Sequence, residues 1–246
     1  MSCNGEIICL ENIYTAYEGA AYPVIRGISL AIRQGEYAIV GGPNGAGKTT
    51  LLESINGMLT ITHGNAYVCG MDVRRHGHEI RRKVGYVVQS FYFDPLTPFT
   101  AEEVIMMGRY GLMGLLKRPG EADYRAAEAA IRLLGLEDIA HKPIGTLSGG
   151  QQQKVLIAQN IAKEPELMLL DEPFSNLDLC TREFVSGVLR ELSRKGIAVV
   201  MVCHAFDGLP DERIRILVMR DGSLCLDETC DPDLVEAKVR RASVVQ

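Results

Sequence analysis

The sequence predicts an α/β fold with a helical segment inserted into it, and three observations carry that prediction. A compact apolar run at 37–40 ends in glycines and leads into a helical pattern over 48–58. Strand, glycine turn and helix in that order begin a βαβ-type unit. Two further apolar runs, at 167–170 and 198–203, follow helical patterns at 151–162 and 182–195, and read as strands buried on both faces of a parallel sheet. Between Phe91 and Ile161 strand signals vanish and helix signals dominate, notably over 101–107 and 121–134.

The remaining elements fit one domain. Alternating apolar and polar residues add short strands over 7–13 and 28–32. A chain of 246 residues, 47% hydrophobic and 23% charged, can bury a sizeable core and is not of disordered composition. The division expected is a core over about 1–90 and 162–225, a helical part over about 91–161, and a C-terminal tail over 226–246. Internal repeats, heptads and low-complexity linkers are absent from the sequence.

Charge and cysteine usage exclude several classes. A formal net charge of −5 disfavours a nucleic-acid groove, so no nucleic-acid partner is expected. Arg74, Arg75, Arg81, Arg82 and Lys83 cluster without interleaved aromatics, which suits a solvated helix face or an acidic partner. The seven cysteines are scattered and never spaced as C-x-x-C, so neither a disulfide framework nor a zinc site is expected. A reducing compartment fits. Acidic and polar residues interrupt the first thirty positions, so no signal peptide is expected. The most apolar stretch, 104–116, is too short to cross a bilayer and contains Gly108, Arg109 and Gly111. Work at a membrane would be done from its surface.

The chemistry is concentrated in short motifs. Gly42-Pro43-Asn44-Gly45-Ala46-Gly47-Lys48-Thr49, with Thr50 following, fits the G-x-x-x-x-G-K-[ST] phosphate loop. Its glycines let successive N–H groups point inward, and the helix that follows adds its positive end. Lys48 can reach the β and γ phosphates, and the Thr49 hydroxyl can ligate Mg2+. Downstream, the apolar run 167–170 ends in Asp171 and Glu172. Exposing charge only at the tip of a buried strand places Asp171 near the phosphates as a Mg2+ ligand. Glu172 is then suited to orient or deprotonate an attacking water, which argues for transfer to water. At Leu147-Ser148-Gly149-Gly150-Gln151, small residues at a helix start present free N–H groups and a serine hydroxyl.

With these motifs together, the chain resembles the ATPase subunits of ABC transporters. The LSGGQ at Leu147 to Gln151 matches that family's signature, and the likeness runs from about Tyr17 to Gly222 in family order. The resemblance implies a P-loop NTPase (RecA-like) core, an N-terminal antiparallel β subdomain and an inserted α-helical subdomain. It also implies ATP hydrolysis, with ATP and Mg2+ bound. Tyr17 matches an aromatic that stacks on adenine, and Gln89 a glutamine that contacts Mg2+ and water. Asp178, within Ser175 to Asp178, matches a loop that communicates between two ATP sites, and His204 a switch histidine on the γ-phosphate. Ser148, Gly149, Gly150 and Gln151 would complete the ATP site of a second copy, so an ATP-dependent homodimer is implied. The implied partners are a transmembrane permease and, indirectly, a solute-binding protein, with the chain peripheral on the cytoplasmic face of the cell membrane. Val88, Ala205, Gly208 and Pro210 depart from the family's usual pattern around Gln89 and His204.

The stretch from Glu103 to Gly111 looks like that of import ATPases for zinc, manganese and iron. Ala140 to Gly145 and the run LSGGQQQK continue that likeness. The iron-chelate and cobalamin branch shares the Met-Gly-Arg element at 107–109. The alternative from another class is a soluble ABC ATPase outside transport; such proteins usually carry long coiled coils or two cassettes in one chain, and this sequence shows neither.

Overall fold

The computed structural model describes residues 5–19, 22–89, 93–114, 117–175, 177–203, 206, 209 and 212–243. The chain opens with β1 (Glu6–Thr15), β2 (Ile25–Arg33), β3 (Tyr37–Gly41) and α1 (Lys48–Ile55). Next come β4 (Ile61–Val68), β5 (Met71–Asp72), α2 (Val73–Lys83) and β6 (Val84–Val87). Three helices follow without an intervening strand among the described residues: α3 (Ala101–Tyr110), α4 (Glu121–Leu133) and α5 (Gly149–Ile161). The chain then returns through β7 (Leu167–Asp171), α6 (Leu179–Arg194), β8 (Ala198–Val202), β9 (Ile214–Arg220), β10 (Ser223–Cys230) and α7 (Pro232–Ser243).

Two sheets result. One is antiparallel, in the order β2-β1-β4-β5. The other runs β10-β9-β3-β8-β7-β6, parallel from β9 to β6 with β10 as its antiparallel edge. Strand alternation divides the core between them. Ala38, Val40, Leu167, Leu169, Val200 and Val202 point into one cluster with β1, β2 and α1. Their neighbours Tyr37, Ile39, Met168, Leu170, Val199 and Met201 point to the other face, against α3–α6. Being buried on both faces explains why these strands read as unbroken apolar runs.

Caps set several helix ends that periodicity misplaces. Ser148 caps α5 and Asp178 caps α6, so both helices start two or three residues before the apolar pattern does. At the other end, α1 stops at Ile55 because Gly57 takes a left-handed turn (φ 66°). A Cβ on Gly57 would also meet Gly77 Cα at 2.9 Å. Val235 and Val239 of α7 pack on Ile216 and Val218 of β9. Val239 sits so close to β3 that a Cβ on Gly41 would lie 2.9 Å from its methyls.

Candidate functional site

Parallel pairing brings the predicted residues to one edge. Val40 and Asp171 both pair with Val202, and Val87 pairs with Leu170. The carboxyl ends of β3, β6, β7 and β8 are therefore level, and the loops leaving them share one crevice, the usual ligand position in such sheets. That crevice is a cleft of about 410 Å3 lined by Val24, Asn44, Gly45, Gly47, Lys48, Thr49, Thr50, Gln89 and Glu172.

The phosphate loop curls as its glycines require. Gly42, Gly45 and Gly47 all have positive φ, and a Cβ on Gly42 would lie 2.2 Å from Met219 O. Lys48 Nζ lies inside the curl and donates to Gly42 O (3.0 Å) and Pro43 O (2.9 Å). Burial lowers the pKa of this ammonium, while Glu172 and Asp171 oppose the shift. Ala46 is buried, and its carbonyl accepts from the Gly222 N–H.

Thr49 Oγ1 donates to Asp171 Oδ2 at 2.6 Å. Asp171 is almost wholly buried, and its Oδ1 finds no donor among the described residues. Burial raises the pKa of this carboxyl; the Thr49 bond opposes that and the Glu172 charge reinforces it. A hydroxyl paired with a half-satisfied carboxylate, both oxygen donors, fits a hard divalent cation such as Mg2+. Glu172 follows in a left-handed conformation (φ 49°) and lines the cleft. Positive φ is costly for a residue with a Cβ, and such strain clusters where a side chain is aimed at a ligand.

The other predicted residues among those described lie at the rim of the cleft or away from it. The Tyr17 hydroxyl meets Thr50 Oγ1 (3.1 Å) and donates to Glu53 Oε2 (3.0 Å). Tyr17, 43% exposed, stands beside the cleft rather than lining it. Gln89 is exposed at the rim and follows the exposed Val88. Ser148, Gly149, Gly150 and Gln151 do not line the cleft. Ser148 Oγ accepts from Gln151 N (3.3 Å), and Gln151 Oε1 accepts from Ser148 N (3.0 Å), a reciprocal cap at an exposed helix tip. Asp178 accepts from Thr181 N (2.9 Å), and this backbone bond first among its contacts holds its carboxyl below the usual range. His204, with Ala205, Gly208 and Pro210, lies outside the described residues; Cys203 just before it is buried at the end of β8.

Sequence reasoning missed Val24, Glu53 and Gln152. Val24 reaches the cleft from the turn before β2, and nothing in a lone valine signals that. Gln152 Nε2 donates to Ile144 O (3.2 Å) and Leu147 O (3.1 Å), bracing the backbone that enters the serine-glycine tip. Its burial, two residues before Lys154 in a polar run, is visible only in the fold.

The chain is similar to known proteins over most of its length. Residues 25–175 match the ABC transporter family. The manganese transport system ATP-binding protein MntB of Bacillus subtilis is 38% identical, over 79% of this chain and 76% of its own length. The zinc transport system ATP-binding protein TroB of Treponema pallidum is 34% identical, over 89% of this chain and 80% of its own. A dimeric ATP-binding cassette in a post-hydrolysis state, bound to ADP and Pi, superposes with a TM-score of 0.78 at 30% identity, covering 90% of this chain and 98% of that one. With a phosphate loop, an Asp171–Glu172 strand end and an LSGGQ helix tip on one α/β core, the chain belongs to the ABC transporter family and is an ATP-binding, ATP-hydrolysing subunit of it.

Proposed function

We propose that two copies of this chain drive a transporter that imports metal ions of the zinc, manganese and iron class. Each ATP would lie between the phosphate loop of one copy and the Ser148 helix tip of the other. One observation carries the two-copy reading: the cleft around Lys48 is lined by Val24, the phosphate loop and the start of α1, Gln89 and Glu172, while the serine-glycine tip of α5 is exposed and lines no part of it. The metal-ion reading is supported by the manganese and zinc systems to which the chain is similar. No helix among the described residues is long and apolar enough to cross a membrane. That suits a subunit attached to a permease at the cytoplasmic face, with a solute-binding protein beyond it.

In this reading the loop N–H groups and Lys48 bind the phosphates, and Tyr17 bounds the adenine side. Thr49, Asp171 and Gln89 would hold Mg2+, which when bound neutralises charge on the β and γ oxygens. Glu172 orients the attacking water and takes its proton. His204 steadies the γ-phosphate, Asp178 relays between the two sites, and Ser148, Gly149 and Gly150 close the site from the second copy with N–H groups and a hydroxyl. Gln151 holds that tip in shape.

Ser148→Arg tests the shared site. ATP-driven dimerisation, read by size-exclusion chromatography, should disappear while the monomer stays folded; a mutant dimer of normal stability refutes the model. Cells lacking the chain test the cargo. Their manganese, zinc or iron content should fall, and unchanged content of all three overturns the import assignment.

A further inference from the structure

We propose that Arg109 is a positioning residue for hydrolysis: it pins the joint between the signature helix α5 and strand β7, and so fixes Ser148 relative to Asp171. The proposal rests on the two-copy reading above.

Arg109 is 9% exposed and reaches three elements at once. Its Nε donates to Asp123 Oδ1 on α4 at 2.9 Å. Its Nη1 donates to Ala162 O, the cap of α5, at 2.9 Å, and to Glu164 Oε2 at 2.8 Å. Glu164 holds a left-handed backbone (φ 54°), a strained turn that needs over-determination to persist. Beyond it the chain enters β7 and ends at Asp171. Lys163, in the same turn, donates to Arg81 O (2.9 Å) and Val84 O (2.6 Å), which ties the joint to the sheet side.

The residue before Arg109 makes this approach possible. A Cβ on Gly108 would lie 2.1 Å from Gln159 O, so α3 and α5 touch backbone to backbone there. Gly108 and Arg109 thus form one device: close contact, then a fork that grips the carboxyl end of α5. That helix has 13 residues, which at about 1.5 Å per residue makes a lever of about 20 Å. A tilt of about 5° at the pinned end moves the Ser148 end by about 2 Å, and misplacement by about 1 Å can cost about 10²-fold in rate. Lysine, a point charge, cannot span Asp123 and Glu164 as the planar fork does.

The test compares Arg109→Gln and Arg109→Lys with the unaltered chain. Binding of a fluorescent ATP analogue to the monomer should stay within about 2-fold, since the phosphate loop is untouched. The kcat should fall about 10-fold or more, with KM little changed, and ATP-driven dimerisation in a Glu172→Gln background should weaken. Arg109→Lys should not restore it. Unchanged kcat in a folded Arg109→Gln protein overturns the proposal, as does loss of analogue binding in proportion to kcat. Should Arg109→Gln not fold, Glu164→Ala removes one arm of the fork at a side chain 72% exposed, and the same split decides. Ser148→Arg separates the two readings. Normal dimerisation in that variant sinks the two-copy reading and this proposal together. A Ser148→Arg defect with intact Arg109 variants sinks this proposal alone.

Discussion

Thr49 Oγ1 and Asp171 Oδ2, 122 residues apart in the chain, are joined by a 2.6 Å hydrogen bond. The bond links the helix after the phosphate loop to the tip of β7, across β8. It also holds the only donor that a buried carboxylate has among the described residues. Thr49→Val keeps the side-chain shape and removes that donor. A buried acceptor left without a partner costs about 1–3 kcal/mol, so the denaturant midpoint of the nucleotide-free chain should fall accordingly. Unfolding curves that superpose would show that the bond adds nothing to stability. The same variant should need more magnesium for half-maximal ATP hydrolysis, because one oxygen donor of the proposed site is gone.

Glu172 stands next to Asp171, and the role proposed for it is a different one. Its backbone N–H donates to Val202 O at 3.1 Å, so the strand end is anchored while the side chain turns into the cleft. Glu172→Gln preserves size and hydrogen-bonding reach and removes the proposed base. Turnover should slow by about 10²-fold or more, the usual scale for a general base, with ATP binding unchanged. Single-turnover ATP hydrolysis beside equilibrium binding checks this; unaltered turnover removes Glu172 from the role.

Much of this site was legible because its chemistry is written in contiguous strings. The loop 42–49, the pair Asp171–Glu172 and the tip 147–151 each hold their own neighbours, and buried parallel strands announce themselves as apolar runs. Relations between distant residues were not legible. That Val24 lines the cleft, or that Arg109 meets Asp123, Ala162 and Glu164 at once, depends on packing that no window reveals. Strand β4 was missed because His63, Gly64 and Asn65 interrupt its pattern; Gly64 packs where a Cβ would be 2.3 Å from Asn12 O. On β10, the edge strand, the buried residue is Cys230 at its end, so its exposed alternation reads as a polar tail. The bond from the Ser148 N–H to the Gln151 amide oxygen is likewise visible only in the fold.

Acid should loosen the start of α6 in a predictable window. The Thr181 N–H holds the Asp178 carboxyl below its usual range. A depressed folded-state pKa contributes stability that is fully present above the ordinary value near 3.9 and is lost as pH falls through the folded one. Asp178→Asn keeps a capping oxygen without the titration. The melting temperature of the variant should therefore fall less than that of the unaltered chain between pH 6 and pH 3, and equal losses would deny Asp178 a part in the acid limb.

Gly222 couples the far end of the chain to the phosphate loop. Its N–H donates to Ala46 O at 3.1 Å, and its carbonyl accepts from Arg26 N at 2.8 Å. The residue sits at φ 80°, and a Cβ there would lie 1.9 Å from Val24 O. No side-chain rotation relieves that clash, because both partners are backbone. Gly222→Ala must then displace the turn 221–222 or the segment around Val24, which lines the cleft. Left-handed strain costs about 1–2 kcal/mol, and the steric conflict adds to it. Thermal unfolding should show a destabilisation of about 2–4 kcal/mol, and ATP affinity should weaken with it because the displaced segment lines the cleft proposed to hold the nucleotide. Gly222→Ala with wild-type stability would mean that the turn yields freely. A destabilised variant that binds ATP normally would mean that Val24 moves without consequence for the loop it faces.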